Sequence, residues 1–182
     1  MLRAPVQPRL TVTALTLPAP LWRRLISAVY DGLLMIGLVF ATVIFFLIGC
    51  WLLGVEPNSR ILGLCLFSVG LGFFGWFWTH GGQTLGMRVW RLRVRRVDGQ
   101  PLRWPIAAIR YTGMFVVWVG LPLSLMLLFV PRFAQAHPQL ATPSIALLSV
   151  LVCSLVLARL DARKRAPHDW ISGTEVVVEP KA

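Results

Sequence analysis

Two charged residues interrupt runs that are otherwise apolar: Asp31 within 25–53 and Arg110 within 106–130. A carboxylate placed there can bind a cation or a proton, or it can pair with a cationic side chain so that neither faces lipid alone. Depth helps to separate the two chemistries. At about 1.5 Å per helical residue, Asp31 lies roughly 33 Å from Leu53 and Arg110 roughly 30 Å from Val130. Both therefore sit at the same edge of a hydrocarbon layer about 30 Å thick, not at its middle. Arg24, Ala28 and Asp31 are spaced i, i+4 and i+7 and share one helical face. Edge position favours an ion pair of Asp31 with Arg110, Arg24 or both, acting as a clasp between helices. The other reading is an ion-exchanging carboxylate.

A second polar cluster, Asp161, His168 and Asp169, follows the last apolar run. It is the strongest candidate for chemistry on a lipid at the membrane edge. The competing reading is a structural cap, since His168 and Asp169 flank a turn after Pro167. Catalytic signatures are otherwise missing from the sequence: it contains no nucleophile elbow, phosphate-cradling glycine loop or paired metal-binding histidines. His80 and His137 lie far apart. Cys50, Cys65 and Cys153 fall inside apolar runs without ligand spacing. The expectation is no metal, no cofactor and no enzymatic activity.

The basic stretch Arg88-Val-Trp-Arg-Leu-Arg-Val-Arg-Arg96 alternates in part. Trp90, Leu92 and Val94 fall on one face, and Arg91, Arg93 and Arg95 on the other. It reads as a short amphipathic strand, with Asp98-Gly99 as a turn and Thr174–Val178 as its pairing partner. Arg88, Arg91, Arg93, Arg95 and Arg96 are assigned to anionic lipid headgroups, each contributing about 1 kcal/mol. Nucleic acid is set aside as a partner.

These residues are positioned by membrane-crossing elements. Of 182 residues 57% are hydrophobic and 14% charged, with mean hydropathy +0.71 and net charge +11. That composition excludes an ordinary soluble enzyme, a disordered chain and a disulfide scaffold. Four runs are expected to cross the membrane: about 25–53, 61–78, 106–130 and 144–160. Pro122 is expected to kink the third. Turn-rich segments separate the first from the second and the third from the fourth. In the second run Gly63, Gly70, Gly72 and Gly75, with Ser68, allow close helix approach, read as packing within the chain. The first run is too long for the apolar segment of a signal peptide and is read as retained, despite the lipobox-like Leu47-Ile-Gly-Cys50.

Charge sets the orientation. Fifteen of the eighteen basic residues fall in the N-terminal tail, the 79–105 loop and the C-terminal segment. Four crossings place all three on one side, the cytoplasmic one. The architecture expected is an all-α membrane protein: a bundle of four transmembrane helices, N-in and C-in, with a short cytoplasmic amphipathic β segment. Residues 1–20 read as a disordered cytoplasmic tail and 21–182 as the transmembrane domain.

Three segments then resemble the RDD family of bacterial polytopic membrane proteins. Arg24-Leu-Ile-Ser-Ala-Val-Tyr-Asp31 is similar to its first-helix signature. Gly82-Gln-Thr-Leu-Gly-Met-Arg-Val89, then Asp98-Gly99 and Ile109-Arg110, resembles its middle loop and next helix. Asp161 to Asp169, followed by Gly173-Thr174-Glu-Val-Val, resembles its C-terminal stretch. By this resemblance Arg24 and Asp31 match the arginine and the first aspartate. Asp169 matches the second, with Asp161 the alternative. Met87 stands where many members have a lysine. The resemblance implies the bacterial cytoplasmic (inner) membrane as location. Some members of the family are thought to be transporters, including sodium/proton antiporters, which would make Asp31 a cation-exchanging group. The favoured expectation is a non-enzymatic membrane-embedded interaction or assembly module with a basic, lipid-facing cytoplasmic surface. A homo-oligomer or another membrane protein would be its partner. The alternative is a small cation/proton transporter.

Overall fold

The computed structural model describes residues 17–136, 138–161 and 165–179. The expected tail up to residue 16, together with His137, Arg163, Lys164 and Lys181, lies outside them. The elements run α1 (Leu21–Leu53), α2 (Ser59–His80), α3 (Leu85–Val89), β1 (Leu92–Arg96) and α4 (Trp104–Phe129). Then come α5 (Pro131–Ala136), a 3-10 turn (Pro138–Leu140), α6 (Ala141–Leu160), α7 (Pro167–Ile171) and β2 (Thr174–Val178).

Local chemistry explains where the long helices stop and start. Helix α1 ends at Gly54, whose φ of 63° is a left-handed conformation that costs glycine little. There the Gly54 and Val55 N–H groups close on the carbonyls of Trp51 and Cys50. The Asn58 side chain accepts from the N–H groups of Arg60 and Ile61 and so starts α2. Helix α4 opens with a proline in its first turn and continues through Pro122.

Among the described residues, three helical stretches are long and apolar enough to cross a membrane: Leu21–Leu53, Ser59–Val89 and Trp104–Phe129. Helix α6 stands where a fourth crossing is expected and packs along α4. The helices turn apolar side chains outward and charges inward. Phe45 and Trp51 are 73% and 79% exposed, whereas Asp31 is 6% and Arg110 3% exposed. That inversion suits a lipid solvent.

The expected ribbon forms, with differences. β1 and β2 pair antiparallel, with Leu92 opposite Val178 and Val94 opposite Val176. Leu92 and Val94 are buried, as the alternation requires. The strand begins later than the sequence pattern predicts, because Arg88 and Val89 belong to α3. Thr84 caps that helix by accepting from the Met87 N–H, and Arg91, at φ 54°, turns the chain into β1. Residues 17–19, expected in the disordered tail, instead line the free edge of β2. Ala19 N–H donates to the Val176 carbonyl, and Val178 N–H donates to that of Leu17. The stretch expected as a turn-rich loop after α4 is largely helical, comprising α5 and the 3-10 turn.

Glycine packing in α2 is also split. Gly70 and Gly75 lie against Tyr111 and Trp104 of α4, as expected of contacts within the chain. Ser68 and Gly72 are exposed, and nothing among the described residues approaches Gly72, so this small-residue pair does not pack internally. The core lies where helix ends meet the ribbon, built from Phe74, Trp78, Met87, Leu92, Val94, Ala107, Tyr111 and Val176. Met87 is thus a core residue, which a lysine could match only by extending its ammonium out of the core.

Candidate functional site

The polar residues singled out in the sequence converge on this junction, in two clusters. The first centres on Asp169, the third residue of α7 and fully buried. Its carboxylate accepts from Arg24 of α1, Arg110 of α4 and, at 2.8 Å, the Ala166 N–H that precedes α7. One guanidinium nitrogen of Arg110 also donates to the Thr174 hydroxyl on β2 at 2.5 Å. The Arg110 guanidinium lies over the Trp78 ring of α2, 4.9 Å from its centroid. A single carboxylate therefore ties both helices to the C-terminal cap, and Arg110 extends the tie to α2 and β2.

Electrostatics follow from that geometry. Burial alone would raise the Asp169 carboxyl, but the charges of Arg110 and Arg24 outweigh it and hold the group well below the usual carboxylate range. His168, with Nε2 3.7 Å from Asp169, is pushed the other way. Burial first, then the Arg110 charge, lower it to about 4, so the ring is neutral at pH 7. Its Nδ1 is buried and has no hydrogen-bond partner among the described residues. Asp161 stands apart from this cluster, held low by hydrogen bonds from Arg165.

The second cluster centres on Asp31, and it overturns the expected clasp. Asp31 meets neither Arg24 nor Arg110. Its two oxygens accept from the Thr84 hydroxyl at 2.5 Å and the Gly86 N–H at 2.9 Å. The carboxylate thus sits at the N-terminus of α3, where unsatisfied N–H groups and the helix dipole favour negative charge. Gly86 permits the approach: a Cβ there would collide with the Ser27 carbonyl and lie 3.0 Å from the Asp31 carboxyl. The reason for the different pairing is which helices are neighbours. Helix α2 packs against both α1 and α4 and joins them, α3 covers Asp31, and α7 lies on α4. Asp169 is the acceptor within reach of both arginines.

Thr84, Gly86 and Trp78 are the partners that the sequence reading missed. Thr84 was within reach, since a threonine three residues before an amide that needs an acceptor is an N-cap pattern. Among the lipid-assigned arginines, Arg93 pairs with Glu179, Arg95 with Glu175 and Arg96 with Asp98. Arg88 and Arg91 have exposed side chains. Among the described residues no group of His, Cys, Asp and Glu is arranged to hold a metal ion. The arrangement is one that fastens elements together.

Comparison with known proteins gives one match. The sequence model of the RDD family covers residues 18–173, most of the chain. No curated protein and no solved structure matches.

Proposed function

The chain belongs to the RDD family, and from that premise we propose that it is a membrane-embedded interaction or assembly module without enzymatic activity. It crosses the inner membrane four times, with both termini and the basic cap in the cytoplasm. The observation that carries this reading is how the signature residues are used. Arg24 and Arg110 are bound to Asp169, Asp31 to α3, and Asp161 to Arg165. The bonds of Asp169 and Asp31 join separate parts of the fold, and the Asp161–Arg165 pair is local, so these residues build a cap on the helix ends. What remains for outside contact is an apolar helix surface and a basic cytoplasmic face, the surfaces a membrane partner and anionic lipid would meet.

Cation/proton exchange through Asp31 is the second reading. One observation favours it: a buried carboxylate with no cationic side chain in ion-pair distance among the described residues. Two experiments test the proposal, and the second separates the readings. Cysteine labelling in a variant lacking the native cysteines tests orientation. A cysteine at Asn58 should react from the periplasmic side and one at Asp98 from the cytoplasmic side; the reverse pattern sinks the proposed topology. Sodium- or potassium-driven proton flux in inverted vesicles tests transport. We expect none above protein-free vesicles, and flux abolished by Asp31→Asn at unchanged protein level would replace the module by a transporter.

A further inference from the structure

One surface feature is not used by the packing just described. An open notch of about 530 Å³ lies beside the start of α1, lined by Arg23, Val89, Trp90, Arg91, Val178 and Glu179. Most cations of the cap already have a carboxylate: Arg93, Arg95, Arg96 and Arg165 are paired within the chain. Among the described residues, neither Arg23 nor Arg91 meets one. Glu179, the acidic wall of the notch, is occupied by Arg93 and by the Gln83 amide, 3.0 Å away. The notch therefore offers two uncompensated guanidinium groups beside a carboxylate whose charge is already met.

Its geometry is held firmly. Arg23 lies over the Trp22 ring, 5.2 Å from its centroid, and Trp22 meets Trp90 edge-to-face at 5.7 Å. Trp90 lines the notch, and its Nε1–H is buried with no acceptor among the described residues. Arg91 keeps a left-handed backbone although it carries a side chain. Its N–H donates to the Arg88 carbonyl, and its own carbonyl accepts from the Glu179 N–H at 2.8 Å. The rim is apolar. Val89, which lines the notch, is 63% exposed, and α1, which supplies Arg23, turns Leu21 and Leu25 outward at 45% and 66%. Cations, interfacial tryptophans and an apolar rim together match an amphiphile with an anionic head.

We infer that this notch binds the phosphate-bearing headgroup of an anionic phospholipid, with Arg23 and Arg91 on the phosphate and the acyl chains lying along α1. The inference rests on the cytoplasmic, lipid-facing reading of the cap and narrows it to one site with two ligating arginines.

Native mass spectrometry of the detergent-purified full chain tests it, with phosphatidylglycerol as probe, phosphatidylethanolamine as the zwitterionic comparison and inorganic phosphate as competitor. Arg23→Gln or Arg91→Gly should each weaken phosphatidylglycerol binding about fivefold, and the pair about thirtyfold, as expected for removing interfacial arginines. Glycine suits the backbone at position 91, so that variant should remain folded. Its elution volume and melting temperature check this. The control Arg95→Gln with Arg96→Gln removes the same charge from ion-paired positions outside the notch lining and should leave binding within about twofold. An equal loss in the control means that binding follows total charge, and overturns the site. Unchanged binding in the Arg23 and Arg91 variants overturns it too. Full displacement by millimolar phosphate, or equal affinity for phosphatidylethanolamine, overturns the lipid assignment. These affinities are read in detergent, so they are independent of the cysteine labelling that tests the orientation.

Discussion

Replacing Asp169 by asparagine should be among the most damaging single changes outside the apolar core. Asn keeps the shape and an oxygen that can accept from the Ala166 N–H. It removes the negative charge that Arg24 and Arg110 share, and their side chains are 13% and 3% exposed. Two guanidinium groups are then left beside each other, one of them fully out of water. Removing one member of a buried ion pair costs about 3–5 kcal/mol. For a chain of this size that lowers the melting temperature by roughly 6–20 °C. Asp31→Asn should cost much less, about 0.5–2 kcal/mol, because no cation among the described residues pairs with that carboxylate and the amide oxygen can still accept from the Gly86 N–H. The assay is thermal or SDS-induced unfolding of purified protein in a fixed detergent, followed by circular dichroism, with both variants side by side. Asp169→Leu combined with Arg110→Met should recover part of the loss of Asp169→Asn, since the buried cation leaves with its partner. The reasoning fails if Asp169→Asn unfolds within about 1 kcal/mol of the parent, or if Asp31→Asn is the more destabilising of the two.

Further outcomes follow from the same geometry. Thr84→Val removes both the donor to Asp31 and the acceptor for the Met87 N–H, and should destabilise by about 1–3 kcal/mol; unfolding measurements check this, and a shift below 0.5 kcal/mol contradicts the capping role. Gly86→Ala forces a methyl against the Ser27 carbonyl and should cost about 1–3 kcal/mol, with faster amide exchange in residues 84–89. His168 is lowered from 6.5 to about 4. Above pH 6.5 the ring is neutral in both folded and unfolded chains. As pH falls from 6.5 to 4 only the unfolded chain gains the proton, so stability drops by up to roughly 3 kcal/mol and then levels. His168→Gln should flatten that slope, and an unchanged slope would place the titrating group elsewhere.

Some of this was legible in the residues because it depends on local sums. A run such as 25–53 is apolar at most positions, with Asp31 its one charge, and the helix Leu21–Leu53 extends it by only four positions. The alternation of Leu92 and Val94 with arginines placed those two side chains inward, and they are buried. The three RDD-like segments were recognisable because short signatures survive in order along the chain. Other features misled for physical reasons. Arg88 and Val89 looked like strand, but the Thr84 cap and the Asp31 carboxylate at its N-terminus stabilise a helical turn there. Residues 17–19 looked like tail, but the edge of β2 supplies hydrogen-bonding partners that composition cannot reveal.

The sequence by itself determined the apolar runs, the confinement of fifteen of the eighteen basic residues to three segments, the family, and the short roster of polar residues in and beside those runs. Each is additive along the chain. Partnership is not. Counting along their helices gives Asp31 and Arg110 the same depth, yet they bind different groups. That choice depends on α2 standing between α1 and α4, on α3 folding over Asp31, and on α7 bringing a buried carboxylate to both arginines. A charge near lipid takes whichever partner the packing leaves within hydrogen-bond reach, and only the tertiary structure decides which one that is.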